Sequence, residues 1–379
     1  MAKVCMLVTN SALDDPRVCV EAETLARRGY AMTVIGWDRD VDRDSQIRRN
    51  GIDFIRLTVR STHGRGITQP LFLGRFWLRG WPVLRRLRPD VVHCHDLDTL
   101  PLGWRAARSL RARLVFDAHE NYPDMMTGHL PVWAVNRLRW LEKWLVRRCD
   151  LLITVGFRIA EYYRTLGAPR VAVIGNWKDP ADFEFPSETV ARIREELGVC
   201  DDRITICFVA NLGPERRLEP LLAAVANDNR FACVVGGDGR QADLARHYAD
   251  SHDNIVYLGR VPPQRVSLIT AACDVIYYGF DEANLNARWS APNKLYEAIA
   301  AGKPLLCGDF GELGPVLRDH HCGVLCDTRT PQGIAESLAK LACRDELNAM
   351  GRRAAELQGQ LSRRQADRHL LDAYAELTG

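Results

Sequence analysis

In WSAPNKLYEAIAAGKPLL, residues 289–306, a single acid, Glu297, stands in an Ala-rich helical stretch that Gly302 ends and Pro304 keeps from resuming. Ser290 or Asn293 is expected to cap this helix, which begins near Pro292. The free N–H groups of such a start favour an anion, and Lys294 lies beside them. A carboxylate one turn further in can accept hydrogen bonds from ribose hydroxyls; the plainer alternative is a solvated acid on an amphipathic face. VANLGPERRLEPLLAAV (209–225) repeats the arrangement, with a strand end, a loop through Asn211 and Gly213, and a helix start carrying Arg216 and Arg217. Arg216 is placed to give phosphate a charge-assisted hydrogen bond, against the alternative of an arginine in water. In the first half of the chain, polar residues follow apolar runs at NSALDDPRV (10–18), HDLD (95–98) and DAHE (117–120).

These residues need elements to hold them. Short β-branched runs at 4–9, 31–37, 90–95, 113–119 and 151–156 are each followed by a helix-like segment. The alternation restarts with runs at 204–210, 231–237, 254–259, 274–280 and 304–309. Apolar runs alternating with amphipathic helices predict parallel sheets with right-handed crossovers. The fold class is therefore α/β, with two doubly wound Rossmann-like domains whose strand ends face each other across a cleft. Boundaries are expected at 1–175 and 176–358, with 176–190 as linker and 359–379 ending in a helix that packs back on the first domain.

A chain of 379 residues is long for one core, and 47% hydrophobic with 26% charged residues is ordinary globular composition. The net charge of +3 gives no reason to expect nucleic acid as a partner. Twelve scattered cysteines without a CxxC read as buried thiols in a reducing compartment. The opening MAKVCMLVTN reads as a strand instead of a secretory leader, so a cytoplasmic protein is expected. Two segments, 75–90 and 132–150, combine Trp, Leu and Arg at helical spacing. They read either as surface helices whose arginine stems cover apolar area or as a basic face making peripheral contact with the anionic inner face of the cell membrane.

Taken in order, DPRV with EAETLARRGYAMTVIGW, DVVHCHDLDTLPLG, LVFDAHE, CDLLITVG, VANLGPERRLEPLLAAV, VVGGDG with NIVYLGRVP, and APNKLYEAIAAGKPLL resemble the retaining glycosyltransferases of the GT-B fold, in the large family four that uses nucleotide sugars. The resemblance covers nearly the whole chain. It implies transfer of a hexose-type sugar from a nucleoside-diphosphate sugar, of UDP or GDP type, to a hydroxyl of a glycan, a lipid-linked saccharide or a small molecule. It implies no metal and no cofactor beyond that co-substrate, with the leaving phosphate taking up the acceptor's proton. On the matching positions, Glu297 would bind the ribose, Arg216 and Lys294 the diphosphate, and His119 the region of the anomeric carbon. The backbone at Pro292, Asn293 and Lys294 would cradle the distal phosphate. Asn211 replaces the second phosphate-binding arginine of many members, and Gly213 and Gly237 shape the donor loops. Asp15, Arg17, His95 and Asp96 are expected on the acceptor side.

One departure stands out. Eight residues before Glu297, where the family pattern has a second glutamate, this chain has Trp289; a subset of the family shares the S-x-P-N-K-L-x-E form. An epimerase of the same fold, or a silent homologue acting as a binding subunit, are the competing readings. The DxD in HDLD is a weak metal motif in a chain of this organisation, and HHCGVLC (320–326) has no second ligand pair nearby. GGDG (236–239) lacks the continuation of a dinucleotide fingerprint.

Overall fold

The computed structural model describes residues 1–13, 15–39, 44–60, 69–199 and 202–379. Cys200, one of the expected thiols, lies outside them. The chain divides into two compact units, Met1–Gly175 with Ala366–Gly379, and Asn176–Gln365.

The first unit holds an eight-stranded sheet of β1 (Lys3–Val8), β2 (Ala31–Asp38), β3 (Ser45–Arg49), β4 (Ile52–Thr58), β5 (Val91–His95), β6 (Arg113–Ala118), β7 (Leu151–Thr154) and β8 (Val171–Val173). Its order is β3-β4-β2-β1-β5-β6-β7-β8, parallel throughout except between β3 and β4. The five runs read from the sequence are all strands. The hairpin β3–β4 is additional, and Asn50-Gly51 turns it with positive φ at both residues (52° and 79°). That Asn-Gly pair is the standard local signal of a two-residue hairpin. The second unit holds a six-stranded, fully parallel sheet of β9 (Ile204–Val209), β10 (Phe231–Gly236), β11 (Ile255–Tyr257), β12 (Val275–Tyr278), β13 (Leu305–Cys307) and β14 (Gly323–Leu325), ordered β11-β10-β9-β12-β13-β14.

Helices cover the sheets, so the central strands are apolar on both faces: every residue of β5, β7, β9, β10 and β12 is buried. The thiols follow suit. Eleven cysteines among the described residues are free, and eight of those are buried. The segment 176–190 forms a 3-10 turn at Pro180–Phe183 and then enters the helix Ser187–Glu196, so it is more ordered than a linker. The last helix, Arg363–Thr378, buries Leu370, Ala373 and Tyr374 in the first unit.

The Trp/Arg segments are the helices Gln69–Leu87 and Val132–Val146, and both pack against the helix Asp96–Leu110. Some of their aromatic residues turn inward. Trp77 donates to the Asp98 carbonyl (3.0 Å), Trp144 meets Trp104 edge-on, and Arg105 lies over Trp81. Other large apolar residues face out, with Leu78 77%, Trp133 72% and Trp140 62% exposed. No described helix is long and apolar enough to cross a membrane.

Glu142, fully buried on the helix Val132–Val146, accepts from the Tyr162 and Tyr163 hydroxyls (2.9 and 3.1 Å) and ties that helix to Phe157–Leu166. Burial outweighs these bonds and pushes its carboxyl up to about 7. A raised acid holds a proton that the unfolded chain releases, so its contribution to stability is full below the ordinary value of about 4.5 and is lost as pH rises through about 7. Glu142→Gln, compared with wild type by urea unfolding, should therefore gain stability at pH 8 relative to pH 5 by about 1–3 kcal/mol. A difference that does not change with pH would show that Glu142 is ionised in the folded protein.

Candidate functional site

Both units place their polar residues at the carboxyl ends of parallel strands, where loops leave the sheet and helix starts expose N–H groups. In the second unit three neighbouring strand ends take part. After β9 the loop 210–217 leads into the helix Leu218–Ala226, whose cap residue Arg217 makes no side-chain cap bond. After β12 a loop with a 3-10 turn (Leu285–Trp289) leads into the helix Asn293–Ala301. Its cap residue is Pro292, not Ser290 or Asn293 as the sequence suggested. Proline offers no side-chain acceptor, so the first N–H groups of this helix have no side-chain cap. Gly302 ends the helix in the left-handed region at φ 59°.

The two loops touch. Tyr277 donates to the Arg217 carbonyl (2.8 Å), and Arg217 pairs with Asp281 (2.7 Å). Arg216 behaves differently. Its guanidinium lies over the Tyr278 and Phe280 rings (5.2 and 5.1 Å), and its Nε and Nη1 are buried without a hydrogen-bond partner. The nearest carboxylate oxygen, on Glu215, is 3.9 Å from Nε. Asn211 is exposed, and the Gly213 carbonyl accepts from Gln241 and from the Arg216 N–H. Lys294 and Glu297, both largely buried, form an ion pair one turn apart along their helix. Trp289 is half-buried, with Arg288 over its ring at 5.0 Å.

Gly237, read from the sequence as shaping a donor loop, has a definite packing task. Its φ is 135°, its N–H donates to the Gly259 carbonyl (2.7 Å), and a Cβ there would overlap the Ala210 carbonyl oxygen. The glycine lets the loops after β9 and β10 pass in backbone contact.

In the first unit the strand ends of β1, β5 and β6 gather a charged cluster. Asp117, on β6 and fully buried, takes both arms of Arg17: Nε to Oδ2 at 3.1 Å and Nη2 to Oδ1 at 2.9 Å. Arg17 also reaches Glu21 (3.0 Å) and donates to the Ile174 carbonyl (2.9 Å). His119 Nε2 lies 3.0 Å from Asp117 Oδ2 and His95 Nδ1 lies 3.2 Å from it. His93 stacks on His95 (4.5 Å between centroids), and its Nδ1 meets the Tyr374 hydroxyl at 2.6 Å. Asp96 Oδ1 accepts the His119 N–H (3.1 Å). Burial raises the Glu21 carboxyl despite Arg17, and lowers both His95 and His93, the latter to about 4. His119 goes the other way, to about 9, because the carboxylates of Asp96 and Asp117 outweigh burial.

The acceptor-side candidates thus fall into two groups. Asp15 caps the helix Pro16–Arg27, accepting from the N–H groups of Arg17 and Val18 and from the Asn10 amide, while Arg17 is buried in the ion network. His95 is buried, and Asp96 is partly exposed at the first turn of its helix with φ 61°. Sequence reasoning missed Asp117, Glu21 and His93. Three spacings pointed to them: Glu21 four residues after Arg17 on a helix, His93 two before His95 on a strand, and Asp117 two before His119. One donor atom each from Glu21, His93, His95 and Asp117 lies within 4.8 Å of the others, a spacing a metal ion could use. The Arg17 guanidinium already contacts both carboxyl groups there, Glu21 at 3.0 Å and Asp117 at 2.9 Å. Two concavities, of about 710 and 900 Å³, lie at the opposite, amino-terminal strand ends of this unit, away from the charged cluster.

Residues 16–177 match the glycosyl transferase 4-like domain, and residues 190–357 match the glycosyl transferases group 1 domain. With its two Rossmann-like units in that order, the chain belongs to the glycosyltransferases of the GT-B fold. It is 24% identical to an uncharacterised glycosyltransferase of Methanocaldococcus jannaschii over 83% of this chain and 81% of that one. It is 26% identical to a D-inositol 3-phosphate glycosyltransferase of Nocardia farcinica over 76% of this chain and 66% of that one. Among solved structures, a sucrose-phosphate synthase of Thermosynechococcus elongatus superposes with a TM-score of 0.77 at 14% identity, covering 100% of this chain and 99% of that one. HepE of Anabaena, solved with UDP-glucose, superposes with a TM-score of 0.72 at 15% identity, covering 99% and 100%.

Gly237→Ala should cost about 2–5 kcal/mol, combining a positive-φ penalty with a backbone overlap. Urea midpoints check it, and a loss under about 1 kcal/mol would mean that the loops after β9 and β10 separate at little cost.

Proposed function

We propose that this chain moves a hexose-type sugar from a nucleoside-diphosphate donor to an acceptor hydroxyl with retention of anomeric configuration. The observation that carries the reading is Arg216, an aromatic-backed guanidinium with two buried donors unpartnered, in the loop that leads into a helix start without a side-chain cap. Buried donors without partners cost about 1–3 kcal/mol each, and an anionic ligand removes that penalty. A diphosphate fits, because its charge grows as the anomeric C–O bond breaks, and fixed donors stabilise that charge without reorganising. No step in this scheme requires a metal: the arginine, Lys294 and the backbone N–H groups supply the positive field.

Lys294 and Glu297 would exchange partners on binding, the ammonium turning to phosphate and the carboxylate to the ribose hydroxyls. Separating a partly buried pair leaves both charges exposed to a low dielectric, so only a ligand that serves both groups makes the exchange favourable. The departing phosphate would take the acceptor hydroxyl's proton as the new bond forms on the same face. His119, protonated beside its two carboxylates, is then a donor toward the transferred sugar and not its base. The nucleotide would be of UDP or GDP type, and the solution of HepE with UDP-glucose supports the first of these.

For the acceptor, a lipid-linked saccharide is the preferred class. The helices Gln69–Leu87 and Val132–Val146 show exposed Leu71, Leu78, Val132, Trp133 and Trp140. They carry many arginines and a single acid, the buried Glu142. Apolar anchors within a basic field suit an anionic lipid surface. A related chain, an alpha-monoglucosyldiacylglycerol synthase of Streptococcus pneumoniae, is 22% identical over 79% of this chain.

Three measurements decide among these statements. A thermal-shift screen of UDP, GDP, ADP and dTDP sugars should show stabilisation by a uridine or guanosine donor, and silence from all four would remove the donor assignment. Arg216→Gln should weaken nucleoside-diphosphate binding by about 10- to 150-fold, the loss of a charge-assisted hydrogen bond, without lowering the apparent melting temperature. Vesicles containing phosphatidylglycerol should retain the protein at low salt, and Trp133→Ser with Trp140→Ser should release it; no retention at low salt would sink the membrane reading.

A further inference from the structure

The buried charge network around His119 has a direction, and it resolves which ring nitrogen of that histidine is held by a hydrogen bond and which is not. We propose that Asp117, locked in place by Arg17, is a positioning residue for His119: it holds the Nε2–H and leaves Nδ1–H as the atom presented to a ligand, so that His119 serves as a fixed cationic donor. The inference rests on the reading that His119 serves sugar transfer, and adds the residues that set its charge and its orientation.

Geometry carries it. Arg17 grips Asp117 through two nitrogens, at 3.1 and 2.9 Å, from the first turn of its own helix. The carboxylate is buried and has no freedom to turn toward another donor. Its Oδ2 lies 3.0 Å from His119 Nε2, which fixes that nitrogen as a donor. The other nitrogen, Nδ1, stands 3.6 Å from Asp96 Oδ2, too far for a hydrogen bond yet close enough to favour a positive charge. Asp96 is itself anchored, because its Oδ1 accepts the His119 backbone N–H (3.1 Å). It also sits at φ 61°, a conformation that non-glycine residues adopt at a cost and that often marks functional positions.

The remaining groups facing the cluster leave the charge on His119. His95 Nδ1 lies 3.2 Å from both Asp117 Oδ2 and His119 Nε2, so a second imidazolium there would repel the first. His93 is stacked on His95, its Nδ1 meets Tyr374, and its Nε2 lies 3.9 Å from Glu21 Oε2 and from Asp117 Oδ2. Both are fully buried and pushed toward the neutral form, first by burial. His119 is the most exposed of the three, at 21% of its side chain, and it has a separate carboxylate facing each ring nitrogen, Asp96 at Nδ1 and Asp117 at Nε2.

The test is a nitrogen-15 titration of the histidines in the full chain, with His119→Gln assigning the resonance. At pH 7.5 His119 should show both ring nitrogens protonated, with a midpoint near 9. A midpoint at the ordinary value of about 6.5, or a neutral tautomer at pH 7.5, overturns the proposal. Asp117→Asn should lower that midpoint by at least one pH unit. It should also reduce kcat by about 10- to 100-fold, the scale of a misplaced group, with donor KM within about threefold of wild type. An unchanged midpoint or unchanged kcat in that variant counts against the idea. Should Asp117→Asn not fold, the wild-type titration still decides. That titration needs no substrate, so a protein that transfers no sugar would refute the glycosyltransferase reading without touching the charge state of His119.

Discussion

A carboxylate with no exposure to water must be neutralised where it stands, and the first unit is arranged around that requirement at Asp117. Arg17 supplies the charge through a two-armed contact, which fixes the start of the helix Pro16–Arg27 against the end of β6. Glu21, one turn along that helix, is brought into the same pocket and driven toward its neutral form by burial. The C-terminal helix closes the pocket with Tyr374, and the imidazoles of His93 and His95 stack within it. Such networks are costly unless each member has a partner, and this one leaves the positive end, His119, at its partly exposed edge.

The second unit holds its positive charge in another way. Arg217 is paired with Asp281, while its neighbour Arg216 is held by aromatic faces. Rings support a guanidinium without using its hydrogen-bond donors. Lys294 is kept by Glu297 instead, an arrangement that stores both side chains beside the helix start they are read to serve. Glycines complete the site by subtraction: at Gly237 the absence of a Cβ lets two loops close on each other.

Much of this could be read in the chain. Strand ends, the Gly302 stop and the positions of Arg216, Lys294 and Glu297 follow from local spacing, because period, turn chemistry and helix ends are local properties. Misreadings were local as well. The cap expected at Ser290 or Asn293 belongs to Pro292, and the hairpin at Asn50-Gly51 is not among the expected strands although its dipeptide announces it. Asp15, expected on the acceptor side, lies in a polar loop after a strand, and its carboxylate caps the helix that follows.

The sequence by itself determined the two parallel α/β units, since their strand and helix periods depend on residues close together along the chain. What only the tertiary structure decided is the partnership at Asp117. Residues 17, 21, 93, 95, 117, 119 and 374 meet there; the short spacings join 17 to 21, 93 to 95 and 117 to 119, but nothing along the chain encodes the convergence of those pairs with Tyr374. A parallel sheet is the reason. It lines up the carboxyl ends of strands separated by long crossovers, so charges far apart in sequence become first neighbours, and burial then fixes which of them keeps its proton.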